Sequence, residues 1–269
     1  MKTRRPFLSF LLRKFWTLAG IGAFCAAICS PQSAHAVLDK NRYTDTELVG
    51  YAFSKLGKVP PDYQAWINNM AVYRKSTPLQ RQEMDTQVRQ RLEEGYYSYS
   101  PDDDLIHIVA DVKVTWNAAD FAAGATPADE GTPEDNKTFK ITFGVEMGKD
   151  KTAPYFPFLV GKLWIALVPK DIGAFLNLSL PSAQAMSFIK KIGTVPRAGG
   201  ASAIIDMKLR PISANANEPL QIDDTIFWLM LTDIANLTIW NTGRDGLIWS
   251  YDAPWYESGD KKAMIDLKQ

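Results

Sequence analysis

The hydrophobic period of this chain changes once, and that change limits what it can fold into. Before Tyr96 the apolar residues recur at helical spacing; after Leu105 they alternate. The breaker between the two patterns is Tyr96-Tyr97-Ser98-Tyr99-Ser100-Pro101. A period near 3.6 residues demands helices, and a period of two demands half-buried strands. A helical part must therefore pack with a sheet.

The helical part carries its own start signals. Thr44-Asp45-Thr46-Glu47 spells a capping box, with Thr44 at the N-cap and Glu47 three residues in. Leu48, Val49, Ala52, Phe53 and Leu56 then share one face, and Gly57 suits a stop. Pro60-Pro61-Asp62 restarts the chain, and Tyr63, Trp66, Ile67 and Met70 repeat at helical spacing. A third start, Thr77-Pro78-Leu79-Gln80, puts Pro at the first helical position. Its apolar stripe is narrow (Met84, Val88, Leu92), its other positions are mostly charged, and Gly95 suits its end. That helix is expected to be mostly solvated.

After the breaker, Ile106, Ile108, Ala110, Val112, Val114 and Trp116 alternate with His107, Val109, Asp111, Lys113 and Thr115. Phe139, Ile141, Phe143, Val145 and Met147 alternate likewise with polar residues. The stretch Asn117 to Lys137 reads as a long loop. Leu163 to Val168 is apolar on both faces and suits an inner strand. Leu176, Leu178 and Leu180 alternate. Pro181 to Ile192 then reads as a helix using Ala185, Met186, Ile189 and Ile192. Ala203 to Leu209, Ile226 to Leu231, Leu237 to Trp240 and Leu247 to Tyr251 read as strands. Asn241 to Gly246 is the turn of the last hairpin. The expectation is an α+β fold: an N-terminal helical segment packed with a mostly antiparallel sheet of six to seven strands. Residues 37–101 form the helical segment and residues 102–269 the sheet region with one inserted helix.

The first 36 residues are of another kind. Lys2, Arg4, Arg5, Arg13 and Lys14 make a cationic head, Phe15 to Cys29 carries no charge, and Ser33-Ala34-His35-Ala36 offers an A-x-A cleavage site. That order marks a secretory signal peptide, with cleavage between Ala36 and Val37. Thr3-Arg4-Arg5-Pro6-Phe7-Leu8 matches a twin-arginine pattern, although Arg13 and Lys14 directly against the apolar run favour an ordinary signal. The expected location is periplasmic or secreted, with no transmembrane anchor after cleavage.

Cleavage removes Cys25, Cys29 and His35, so the mature chain has no cysteine and one histidine, His107. Disulfides, thiol catalysis, cysteine-based metal sites and sites built from several histidines are excluded. The signal carries five of the 30 Lys and Arg and no acid, leaving a mature charge of 25 − 30 = −5. A net acidic chain does not suit general nucleic-acid binding. No cofactor motif is present, and none is expected to bind.

Several constellations resemble chemistry. Ser187-Phe188-Ile189-Lys190 matches S-x-x-K, but no K-T-G follows. His107 is the one possible triad histidine, and no G-x-S-x-G accompanies it. Asp102-Asp103-Asp104, Asp129-Glu130, Glu134-Asp135 and Asp223-Asp224 offer paired carboxylates, but each pair sits in a loop where solvated acid is the default. Asn241 to Gly246 resembles half of a calcium loop, with Gly243 where a ligand is wanted. Arg197 to Ser202 is glycine-rich but leads into a strand, whereas phosphate loops open helices.

The final hairpin is the best candidate surface. An even-length turn would set Trp240 opposite Leu247 and Thr238 opposite Trp249, gathering Trp240, Trp249 and Tyr251 on one face beside Arg244. Those four are the candidate binding residues; no catalytic or metal residue is proposed.

Tyr51-Ala52-Phe53-Ser54-Lys55-Leu56-Gly57 on the first helix and Leu178-Ser179-Leu180-Pro181-Ser182-Ala183 leading into a later one, both behind a signal, resemble an uncharacterised family of exported bacterial proteins. The resemblance implies no activity and transfers no site residue. Together these features point to an exported binding or assembly module for an envelope protein or a small ligand. The alternative is a periplasmic hydrolase using paired carboxylates or Ser187 with Lys190. Exported material should begin at Val37, which N-terminal sequencing checks; retention of Met1 would refute the cleavage site.

Overall fold

The computed structural model describes residues 43–121, 136–143, 146–147, 153–222 and 224–256. They belong to one compact unit, Lys40–Gln269. The signal segment with its Ala36–Val37 junction lies outside the described residues, as do Val145, Asp129, Glu130, Glu134, Asp135 and Asp223.

Four helices come first: α1 Asp45–Gly57, α2 Tyr63–Asn69, α3 Ala71–Lys75 and α4 Pro78–Ser98. All three expected helix starts form, at Thr44, Asp62 and Thr77. Thr44 Oγ1 accepts from Glu47 N at 3.3 Å, and Glu47 Oε2 accepts from Thr44 N at 2.9 Å. Thr77 and Gln80 form the same box before α4, with Pro78 in its first turn. α1 is the buried helix, with every residue from Glu47 to Ser54 inside. α4 buries only Leu92 and Gly95, as its narrow stripe predicts.

Polar clips fix α4 to α1. Arg91 pairs with the carboxylate of Glu47, which is itself buried. Lys55 Nζ donates to Tyr99 O at 2.7 Å and Tyr97 O at 3.3 Å, where α4 ends. α1 ends at Gly57 as expected, and Lys58 just beyond it takes the left-handed conformation (φ 54°). One boundary differs from expectation. α4 passes through Gly95, where a side chain would come within 2.5 Å of the Tyr51 hydroxyl. Gly95 therefore serves close packing rather than termination. The hydroxyls of Tyr51 and Tyr99 are buried without a hydrogen-bond partner among the described residues. Burial raises both well above the ordinary tyrosine range, so both stay neutral.

The strands follow: β1 Ile106–Trp116, β2 Asn136–Phe143, β3 Glu146–Met147, β4 Ala153–Pro154, β5 Phe156–Val160, β6 Leu163–Pro169, β7 Asn177–Pro181, β8 Gly200–Ala214, β9 Leu220–Ile222, β10 Thr225–Trp240 and β11 Leu247–Asp252. Helices α5 Gly173–Leu176 and α6 Ser182–Ile192 flank β7. The main sheet runs β5-β6-β10-β8-β1-β2-β7, with β9 and β11 also paired to β10; β3 and β4 pair apart from it.

Two expectations are corrected here. The sheet is mixed rather than mostly antiparallel, because β6 runs parallel to β10 from Trp164↔Phe227 to Pro169↔Thr232. Between β6 and β10 the chain builds β7, α6, β8 and β9, and such a long crossover can return parallel where a hairpin cannot. Ile226–Leu231 and Leu237–Trp240 are also one strand, because Thr232 and Asp233 stay in the ladder against β8.

One face of the sheet holds the core. Ile106, Ile108, Val112, Val114 and Trp116 of β1 turn inward as their alternation predicts, with Phe139, Ile141 and Phe143 of β2 and Ala203, Ile205, Met207 and Leu209 of β8. α6 adds Ala185, Phe188, Ile189 and Ile192, whereas Met186, expected inside, is half exposed.

Trp66 of α2 locks the helices to the β5–β6 turn. A methyl group on Gly50 would sit 2.5 Å from its ring, and one on Gly161 would sit 2.8 Å away. Gly161 has φ 60°, a conformation glycine takes without strain, and its carbonyl accepts from Asn69 Nδ2 at 3.1 Å. Helix propensity alone makes Gly50→Ala stabilising by about 1 kcal/mol. Overpacking against Trp66 is expected to win, with a net loss of about 1–3 kcal/mol in urea unfolding.

Candidate functional site

The final hairpin forms, with Trp240 opposite Leu247 as expected. The rest of its register does not follow. An irregularity after Ile239 leaves Ile248 as an extra residue, so Trp249 pairs with Ile239 and Tyr251 with Leu237. The bulge returns Trp249 and Tyr251 to the core face, where Phe175 of α5 covers them at ring distances of 6.1 and 4.8 Å. Trp240 stays on the outer face, and its Nε1 donates to Thr238 Oγ1 at 2.9 Å. The expected three-aromatic face is therefore divided.

Arg244 joins a different group. It takes the left-handed conformation in the turn (φ 57°), and its Nη2 donates to Asp206 Oδ2 at 2.7 Å. Asp206 Oδ1 lies 2.6 Å from His107 Nε2. Asp206 thus joins β1, β8 and the last turn on the outer face. His107 and Arg244 are 44% and 46% exposed, so the pairs are screened and each contributes at most about 1 kcal/mol. No nucleophile hydrogen-bonds the His107 ring among the described residues. The arrangement can brace strands.

Next to the trio, Arg210 pairs with Asp233 at 2.8 Å and with Asp102 at 3.5 Å, and lies 3.8 Å from the centre of the Trp255 ring. Lys208 Nζ donates to Tyr256 Oη at 3.0 Å. This half of the outer face is polar and partly capped by residues 255 and 256. The other half is apolar: Tyr155, Ala166 and Phe227 form a small second cluster with Val168, Ile222 and Leu229.

The remaining constellations do not converge. Ser187 and Lys190 are exposed on α6. Asp103 and Asp104 cap the turn through Ser100, and Asp224 is exposed. Asn241 Oδ1 accepts from Asp245 N and Gly246 N, closing the last turn on itself. Pro196–Ala198 is a short helical turn whose Pro196 carbonyl accepts from Trp116 Nε1 at 2.7 Å. Among the described residues no three His, Asp or Glu side chains gather as a metal site. No helix there is long and apolar enough to cross a membrane.

Two of the concavities among the described residues bear on function. One, about 540 Å³, is an open depression on the outer sheet face beside Asp111, Lys113, Thr142 and Ser202. The other, about 330 Å³, is more enclosed and mainly apolar. Phe53 and Ser54 of α1, the Val59–Asp62 loop, Trp66 of α2, the Val160–Ile165 turn and Trp228 of β10 line it. Its walls are preformed, because Trp66 is held by the two glycines and Phe53 packs edge-on to Trp228 at 6.3 Å.

The polar groups of this cleft are few. Asp62 caps α2 by accepting from Ala65 N at 2.9 Å. Ser54 on the wall is 4% exposed. Lys162 is exposed on the rim and has no ion pair among them. An apolar slot with a few polar groups on its wall and rim has the character of a small-molecule site.

No protein-family model, curated protein or solved structure matches the chain. Sequence reasoning missed the cleft because four separate segments build it. The local trace was the run Pro60-Pro61 with Trp66, and Gly161 beside Lys162.

The divided hairpin yields a contrast. Trp249→Ala should cost about 3 kcal/mol, as truncation of a core aromatic does. Trp240→Ala should cost less than about 1 kcal/mol, because it removes outer-face contacts only. Thermal melting of the two variants checks this, and equal losses would refute the assigned faces.

Proposed function

We propose that the chain is an exported, non-catalytic binding module that takes a small apolar ligand into the cleft between α1, α2 and the β5–β6 turn. The observation that carries this reading is the enclosed, mainly apolar slot itself, walled by Phe53, Trp66 and Trp228 with Ser54, Asp62 and Lys162 as its few polar groups. Concave apolar sites with a few placed polar groups are the usual form of small-molecule sites. The cleft weighs toward a small ligand rather than an envelope protein as partner.

Export rests on the basic head, apolar run and A-x-A site of residues 1–36, and the periplasm is the proposed location. The resemblance to exported bacterial proteins agrees with that. The exposure of Ser187 and Lys190 weighs on the side of binding rather than hydrolysis.

The test uses the neutral apolar dye N-phenyl-1-naphthylamine. Its fluorescence should rise saturably at one site per chain. Ala216→Trp, which fills the cleft from a half-buried loop position, should abolish the rise while the melting temperature stays unchanged. Unchanged dye binding in a folded Ala216→Trp protein would refute the cleft as the site.

A further inference from the structure

We infer that the ligand of this cleft is an amphipathic carboxylate, with its apolar body in the slot and its carboxylate held by Lys162; this rests on the binding reading above. Size sets the body. At roughly 30 Å³ per water-sized group, the cleft of about 330 Å³ holds roughly ten heavy atoms. The walls are Phe53, Trp66, Trp228, Pro60 and Pro61, which offer flat apolar surface without charge. A medium-length acyl chain or an aromatic body of that size fits this lining.

Charge sets the head. Two ionisable groups stand at the cleft, Asp62 and Lys162. Asp62 already accepts the Ala65 N–H, so part of its demand is met. Lys162 has no counter-ion among the described residues, in a mature chain whose net charge is 25 − 30 = −5. An unpaired ammonium beside an apolar slot selects an anion over a neutral or cationic group. The Gly161-Lys162 turn is fixed against Trp66, so the cation is carried on a held turn that lines the slot rather than on a loose loop. Ser54 on the wall is the remaining polar group along the body.

Titration calorimetry on the cleaved full chain separates the possibilities. Decanoate below its micelle concentration, methyl decanoate and decyltrimethylammonium are the probes. Decanoate should bind at one site and about fivefold or more tighter than the other two. Methyl decanoate also distinguishes a free acid from an esterified acyl chain: equal binding of ester and acid would overturn the role of the carboxylate. Tighter binding of decyltrimethylammonium would assign the rim to Asp62 and overturn the inference. Lys162→Ala should weaken decanoate by about fivefold and leave methyl decanoate unchanged, and Lys162→Arg should restore decanoate. A Lys162→Ala protein that binds decanoate normally would overturn the inference. Dye binding without any preference for the acid would do the same and leave the cleft reading standing. Loss of dye binding as well would remove both.

Discussion

Strand β10 is the element on which the rest depends, because it has partners along both edges. One edge carries β8 from Met230 to Trp240 and β9 from Thr225 to Phe227. The other carries β6 over Phe227 to Thr232 and β11 over Asn236 to Trp240. Its backbone N–H and C=O groups are buried in the sheet and must be paired, so four strands take their positions from it. Through β8 it also sets β1, β2 and β7. Through β6 it sets β5, whose turn with β6 seats Trp66 and so positions the helices. Irregularities in its pairing with β8 and β11 re-aim side chains, and the outer face divides into an apolar and a polar half accordingly.

Much of this was legible in the sequence, for a physical reason. β1 has one wet face, so its alternation showed at every position from Ile106 to Trp116. Capping boxes use short-range hydrogen bonds, so Thr44 with Glu47 and Thr77 with Gln80 were readable where they stand. What failed was non-local. Nothing in Leu163–Val168 states which strand will lie beside it or in which direction. β10 read as two pieces because Thr232 and Asp233 break its apolar run, while the ladder that keeps them paired belongs to β8. Met186 lies at a helical position that points past the edge of the core.

The candidate site was legible only in fragments. The hairpin and its Trp240–Leu247 pair followed from the turn, but one inserted residue, Ile248, exchanged the faces beyond it. Arg244 and His107 were each singled out, and it took the fold to bring both to Asp206. The cleft had the weakest signal. Ser54 was visible only as a polar residue within the first helix. That it lines a cleft follows from packing against segments more than a hundred residues away.

The crossover between β6 and β10 has a consequence in time. β6 cannot be completed until β10 exists, and α5, β7, α6, β8 and β9 are all made in between. Assembly therefore cannot proceed in order of synthesis, and such long-range pairing is slow. Until residues 225–240 arrive, the β5–β6 hairpin has one unmatched edge, the kind of surface that invites wrong pairing. A chain threaded across a membrane N-terminus first completes that wait on the far side, with its earliest segments already emerged. A chain exported after folding completes it before departure. The position of β10 in the order of synthesis thus sets how long the vulnerable interval lasts.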